Sequence, residues 1–223
     1  MSAGDGIVRI VVEPAPVPYL EMLERQKAAR MAVQRGEQPH TLFLLEHPPT
    51  ITCGRRSDAG HVLYSRDWLA ERGVELVETD RGGDVTYHGP GQLVAYPVFD
   101  LNRMQPSVGW YIRRLEDVLI GVLADFGIPG ERVEGLTGVW TGSAKIAAIG
   151  IGVRDWVTYH GIALNVDPVM EHFGYIVPCG IADKPVTSMR QVTGEAPALD
   201  TVRAALIRQF IEVFGLCAED VIA

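Results

Sequence analysis

GVWTGSAKIAAIGIGVRDWVTYHGIALNV, residues 138–166, is the stretch on which the fold class turns. Gly138 to Arg154 and Val157 to Val166 read as two strands of a hairpin that turns near Asp155-Trp156. Working outward, LVAYPVFDL (93–101) and TLFLLEH (41–47) read as further strands, the second stopped by Pro48-Pro49. Gly73 to Asp80 forms a short strand leading into a glycine-rich loop at Arg81-Gly82-Gly83. Helices are expected on either side. Tyr19 to Arg35 places Leu20, Leu23 and Met31 on one face, with Gly36 just beyond its end. From Ser107 to Phe126, Val108, Tyr111, Ile112, Leu115, Leu119, Val122 and Phe126 recur at three- and four-residue steps, and Gly127 supplies the stop. A last helix takes Asp200 as N-cap and ends before Gly215, with Val202, Leu206, Phe210 and Val213 inward. Strands cluster in the middle and do not alternate strictly with helices. The expected class is therefore α+β, a mixed β-sheet with flanking helices.

The 223 residues suit one substantial domain, and no stretch looks like a linker, so a single domain over 1–223 is expected. Hydrophobic residues at 47% and charged residues at 22% exclude a wholly disordered chain. The net charge of −8 excludes phosphate neutralisation as the main driver of binding, so no nucleic-acid partner is expected. The basic pairs Arg55-Arg56 and Arg113-Arg114 are too short to make a patch. AKIAAIGIGV, the most apolar run, contains Lys145 and falls short of the roughly 20 residues of a membrane helix. The N-terminus carries an acid ahead of a short apolar run, the wrong order for a secretory signal. The cysteines Cys53, Cys179 and Cys217 leave at least one thiol unpaired and have no metal-ligand spacing. A reducing cytoplasm, no metal and no cofactor are the expectations, with a monomer as the default state.

Cys179 lies in Val177-Pro178-Cys179-Gly180-Ile181, where Pro178 restricts φ and Gly180 leaves room beside the sulfur. Cys217 and Cys53 read as packed thiols, Cys53 at a strand end. An ordinary thiol is only a few per cent ionised at neutral pH, so a nucleophile needs a cationic or basic helper. Lys145 is one candidate, a long cation in an apolar strand-like run. His88 and His160, each followed by glycine, are the others. Arg81 to Gln92, RGGDVTYHGPGQ, combines glycines that let backbone approach a ligand with Arg, Tyr, His and Gln as polar handles, and reads as a binding loop.

Taken together, RGGDVTYHGPGQ, AKIAAIGIGV, YHGIALNV and PCGI followed by Thr187-Ser188-Met189 resemble the octanoyl-[acyl-carrier-protein]:protein N-octanoyltransferase family, also called lipoyl(octanoyl) transferases. The resemblance implies a fold like the catalytic domain of biotin protein ligases and lipoate-protein ligases. It implies that Cys179 is the acyl-thioester nucleophile and Lys145 its acid/base partner. Arg81, Gly82, Gly83, Asp84, Val85, Thr86, Tyr87 and His88 match the family's substrate-contacting residues, as do Ala148, Ile149, Gly150, Gly161, Ile162 and Ala163. The implied donor is octanoyl-acyl carrier protein. The implied acceptors are lysines on lipoyl domains of 2-oxoacid dehydrogenase complexes and on the glycine cleavage H protein. His88 and His160 read as pocket walls and hydrogen-bond donors. Three rivals stay open: an ATP-dependent ligase on the same fold, a cysteine hydrolase using Cys179 with His88 or His160, and a non-catalytic acyl-binding module.

Overall fold

The computed structural model describes residues 6–177 and 184–222. In chain order the elements are β1 (Ile7–Val12), α1 (Tyr19–Gln34), β2 (His40–Leu45), β3 (Thr50–Cys53), α2 (Arg66–Ala70), β4 (Glu75–Glu78), β5 (Val85–His88) and β6 (Gln92–Val98). Then come α3 (Val108–Asp125), β7 (Glu131–Val133), β8 (Leu136–Thr141), β9 (Ala144–Arg154), β10 (Val157–Asn165), α4 (Met189–Thr193), α5 (Leu199–Phe214) and β11 (Cys217–Ile222).

Eight strands form one mixed sheet in the order β11-β1-β2-β6-β10-β9-β8-β7. β11, β1 and β2 run parallel, and every later neighbour is antiparallel. The α+β class holds. α3 and α5 cover one face through Tyr111, Leu115, Leu119, Val202, Leu206 and Phe210. α1 covers the other through Met22, Ala29 and Val33 against Phe43, Tyr96 and Ala163. A three-stranded sheet, β4-β3-β5, has its own core around Ile51, Val85, Tyr87 and Phe173. The loop between β4 and β5 joins the two sheets, because the Gly82 N–H donates to the Ile151 carbonyl on β9 at 2.8 Å.

The hairpin turn falls at Asp155-Trp156, whose φ values of 52° and 61° are those of a type I′ turn. Several expectations need correction. Gly138 to Arg154 is two strands, β8 and β9, separated at Gly142, whose φ of 55° turns the chain. Residues 85–88, read within a loop, are strand β5, which pairs with β3. On α1, Leu20 and Met31 face solvent at 50% and 43% exposure. The buried stripe is Tyr19, Met22, Leu23, Gln26, Ala29 and Val33, centred on a glutamine that the apolar pattern passes over. Val108 opens α3 exposed, and Ser107 caps it by accepting from the Trp110 N–H. α5 begins at Leu199 after Ala198, so Asp200 sits in the first turn, where its charge suits the helix dipole, and is not the cap. Cys217 is exposed on edge strand β11.

Candidate active site

Where the hairpin of β9 and β10 meets the glycine loop, a cavity of about 460 Å³ including its mouth opens on the α1 face of the sheet. Arg81, Gly83, Asp84, Val85, Thr86 and His88 line it from the loop and β5. Ala148, Ile149 and Gly150 line it from β9, and Gly161, Ile162 and Ala163 from β10. Glycine is required sterically at Gly161, and a side chain at Gly150 would be a tight fit. A Cβ on Gly161 would lie 2.2 Å from the Ala95 carbonyl oxygen on β6, and one on Gly150 would lie 3.1 Å from the Gly82 carbonyl oxygen. Gly82 lines a second hollow beyond the loop, whereas the Tyr87 ring packs into the small sheet's core against Phe173 and its hydroxyl meets His172 Nδ1 at 2.8 Å.

Arg81 is buried and braces strand β3. Its Nη2 donates to the Thr52 carbonyl at 2.6 Å, and Nε reaches the Thr52 hydroxyl at 3.1 Å. Asp84 Oδ2 accepts from His61 Nδ1 at 2.6 Å, and Oδ1 is buried between the two hollows.

Lys145 is the second residue of β9, 7% exposed, with its ammonium 5.0 Å from the Trp140 ring centroid. It lines the second hollow and also a narrow one shared with Thr86 and Ala148, the residues at the near end of the main cavity. Its backbone N–H donates to the Pro185 carbonyl at 2.8 Å, and its carbonyl accepts from the Thr187 N–H at 2.9 Å. Cys179 lies outside the described residues. The half-buried Cys53 sits at the end of β3, and burial pushes its thiol pKa up, the opposite of what a nucleophile needs.

Five side chains that sequence reading did not assign to the site belong to it: Tyr19, Gln26, His47, Asp80 and Tyr96. Tyr19 and Tyr96 line the cavity with His88 and His160. His47 donates from Nδ1 to the Val17 carbonyl at 2.6 Å, so its Nε2 accepts from the Tyr96 hydroxyl at 2.7 Å. Burial lowers its pKa to about 4, keeping it neutral. His88 stacks on Tyr19 and donates from Nδ1 to Gln92 Oε1 at 2.7 Å. Gln92 passes the chain to Asn165 at 2.9 Å, and Asn165 to the Thr187 carbonyl at 2.9 Å, beside Lys145. His88 is held well below its ordinary pKa, by burial first and the neighbouring His47 next. Asp80 accepts from His160 Nε2 at 2.9 Å and from the Tyr159 hydroxyl at 2.7 Å, and the His160 bond leads in holding its carboxyl far below the usual range. A largely apolar slot, whose Arg81 and Asp84 are engaged by Thr52 and His61 and which has one lysine at its near end, suits an acyl chain better than a charged ligand. Among the described residues no His, Cys, Asp and Glu cluster is arranged to hold a metal ion, and no helix is long and apolar enough to cross a membrane.

The family model of the lipoyl protein ligase A/B catalytic domain matches residues 18–211. The chain belongs to that family. This lipoyl protein ligase A/B domain is 55% identical over 197 residues to an octanoyltransferase of Chloroflexus aurantiacus, covering 87% of each chain. Its fold is that of the bi-partite lipoate protein ligase of Thermoplasma acidophilum, with a TM-score of 0.74 at 20% identity over 98% of this chain and 88% of that one. A biotin protein ligase of Aquifex aeolicus in complex with biotin superposes more loosely, with a TM-score of 0.52 at 12% identity over 93% and 70% of the two chains. The expected kinship with both ligase groups is therefore a kinship of fold.

Proposed function

We propose that the protein transfers an octanoyl group from octanoyl-acyl carrier protein, through a thioester on Cys179, to the lysine amine of a lipoyl domain. The observation that carries the reading is the largely apolar slot ending beside Lys145, in a chain 55% identical to an octanoyltransferase. The chain flanking residues 178–183 supports it too. On one side the Val177 N–H donates to the His61 carbonyl at 2.8 Å, and on the other Pro185 and Thr187 pair with Lys145.

In the first half-reaction the Cys179 thiolate attacks the thioester carbonyl. The carrier thiolate leaves and takes a proton, so an acyl-enzyme replaces the donor thioester. In the second, the acceptor's neutral amine attacks the acyl-enzyme. The amide forms, Cys179 leaves as thiolate and the amine's surplus proton is passed on. Lys145 is the group for both proton transfers. The donor is already activated, so ATP is not consumed. His88 and His160 are neutral and committed to partners, which fits them as walls, and His47 stands behind Tyr96.

Intact-mass measurement after incubation with octanoyl-carrier protein and no ATP tests this. One octanoyl group on Cys179 is expected, with none on the Cys179→Ala protein, while Cys53→Ala and Cys217→Ala keep most of the activity. Label arising only from free octanoate with ATP would make the protein a ligase. Rapid loss of the acyl group to water with no acceptor present would make it a hydrolase.

A further inference from the structure

Strand β10 breaks its own alternation at one residue. Successive side chains of a strand face opposite sides, so His160 belongs with Ile162 and Leu164, which pack toward α3 and α5. Its φ of +55° turns it back instead. The rings of Tyr159 and His160 lie 4.7 Å apart, and His160 Nδ1 is 3.4 Å from the Tyr19 hydroxyl on the α1 side. Gln26 Oε1 accepts the His160 backbone N–H at 2.7 Å, and Asp80 accepts from Nε2 at 2.9 Å, so two remote groups hold the strained residue in place. Because a carboxylate only accepts, Nε2 is the donor, and the neutral ring's Nδ1 is left to Tyr19. With both nitrogens engaged by protein partners, the ring borders the slot along one edge.

The hairpin register locates that edge. Ala148 lies opposite Ala163, Ile149 opposite Ile162, Gly150 opposite Gly161, and Ile151 opposite His160. The Ala148 rung adjoins the hollow lined by Lys145, so His160 stands at the far end. The three steps between these four rungs, at about 3.3 Å each, give about 10 Å of slot. A fully extended octanoyl chain has seven carbon–carbon bonds of about 1.5 Å, which put its methyl about 9 Å from the carbonyl carbon.

We propose that His160, turned into the slot and held there by Asp80 and Gln26, is the floor that limits the acyl chain to about eight carbons. The proposal rests on the reading that the slot takes an acyl chain with its carbonyl at the Lys145 end. The test gives the full-length protein hexanoyl-, octanoyl-, decanoyl- and dodecanoyl-carrier proteins, following acyl-enzyme by intact mass and kcat/KM for transfer to a lipoyl domain. Wild type should favour octanoyl over decanoyl by about tenfold or more. His160→Gly, which accepts the positive φ without strain, should reverse that preference, and His160→Asn, also tolerant of it, should move it part of the way. Asp80→Ala should shift the profile in the same direction by freeing the ring, and Asp80→Asn, which still accepts, should restore it. An unchanged chain-length profile in the cooperatively melting His160 variants, or an equal loss for every chain length, would overturn the floor. Failure of wild type to accept any of the chains would sink the function and not the floor alone.

Discussion

Lys145 is buried beneath Trp140, and the space it occupies depends on a missing side chain. A Cβ on Gly138 would stand 3.3 Å from Lys145 Cε and 3.6 Å from Nζ. Lys145→Ala should slow acylation of Cys179 by about 10²–10⁴-fold, the usual worth of a positioned acid/base group. Lys145→Arg should rescue poorly, because a guanidinium holds its proton too tightly for a base and is too broad for the space beside Gly138. The pH dependence of Cys179 alkylation checks both. A curve unchanged in Lys145→Ala would remove Lys145 from thiol activation. Lys145 stood out in the sequence because a cation in an apolar strand demands a reason. Tyr87 shows the opposite case. It sits among site residues in sequence, yet strand alternation turns its ring into the small sheet's core.

The hairpin β9–β10 was legible as an element, since two apolar runs around Asp155-Trp156 carry the strand signal, although the extra turn at Gly142 was not. Its two ends predict opposite effects. Gly161→Ala would drive a methyl into the Ala95 backbone of the central strand β6 and should destabilise by about 2–4 kcal/mol. A urea midpoint within error of wild type would show that β6 and β10 separate freely. Trp156, 41% exposed at φ 61°, pays for a left-handed position without much burial in return. Trp156→Gly should stabilise by about 1 kcal/mol, and a lower urea midpoint would mean that the indole packs more than its exposure indicates. α1 was found by its length and its stop, but not its inward face. That face is centred on Gln26, whose partner is the backbone of His160, and a search for apolar periodicity reads a buried glutamine as solvent-facing.

For the molecule as a whole, the buried histidines predict acid sensitivity. His47, His88 and His160 all have folded pKa values below 6.5, burial being the largest cause each time. The unfolded chain therefore takes up protons first, and stability present above pH 6.5 declines as pH falls toward the folded values. For His47, falling to about 4, the loss across that window is about 3 kcal/mol. Urea midpoints should drop between pH 7.5 and 5, and His47→Gln should flatten the fall; a midpoint independent of pH over that range would contradict the buried neutral cluster. Family resemblance gave Cys179 and Lys145 their proposed roles, whereas the sequence alone determined the α+β class, the strand-rich centre, the turn at Asp155-Trp156 and the glycine loop. Each of these is written in local composition: alternation, glycine placement, or a residue out of character with its neighbours. Only the tertiary structure decided that Tyr19, Gln26, His47, Asp80 and Tyr96 join that site, and that His160 reaches it through a positive φ. Bonds such as His160 to Gln26 and to Asp80 close across three elements. Nothing periodic in a chain records them, because a side-chain hydrogen bond between distant segments depends on strand order and register, which exist only once the sheet has formed.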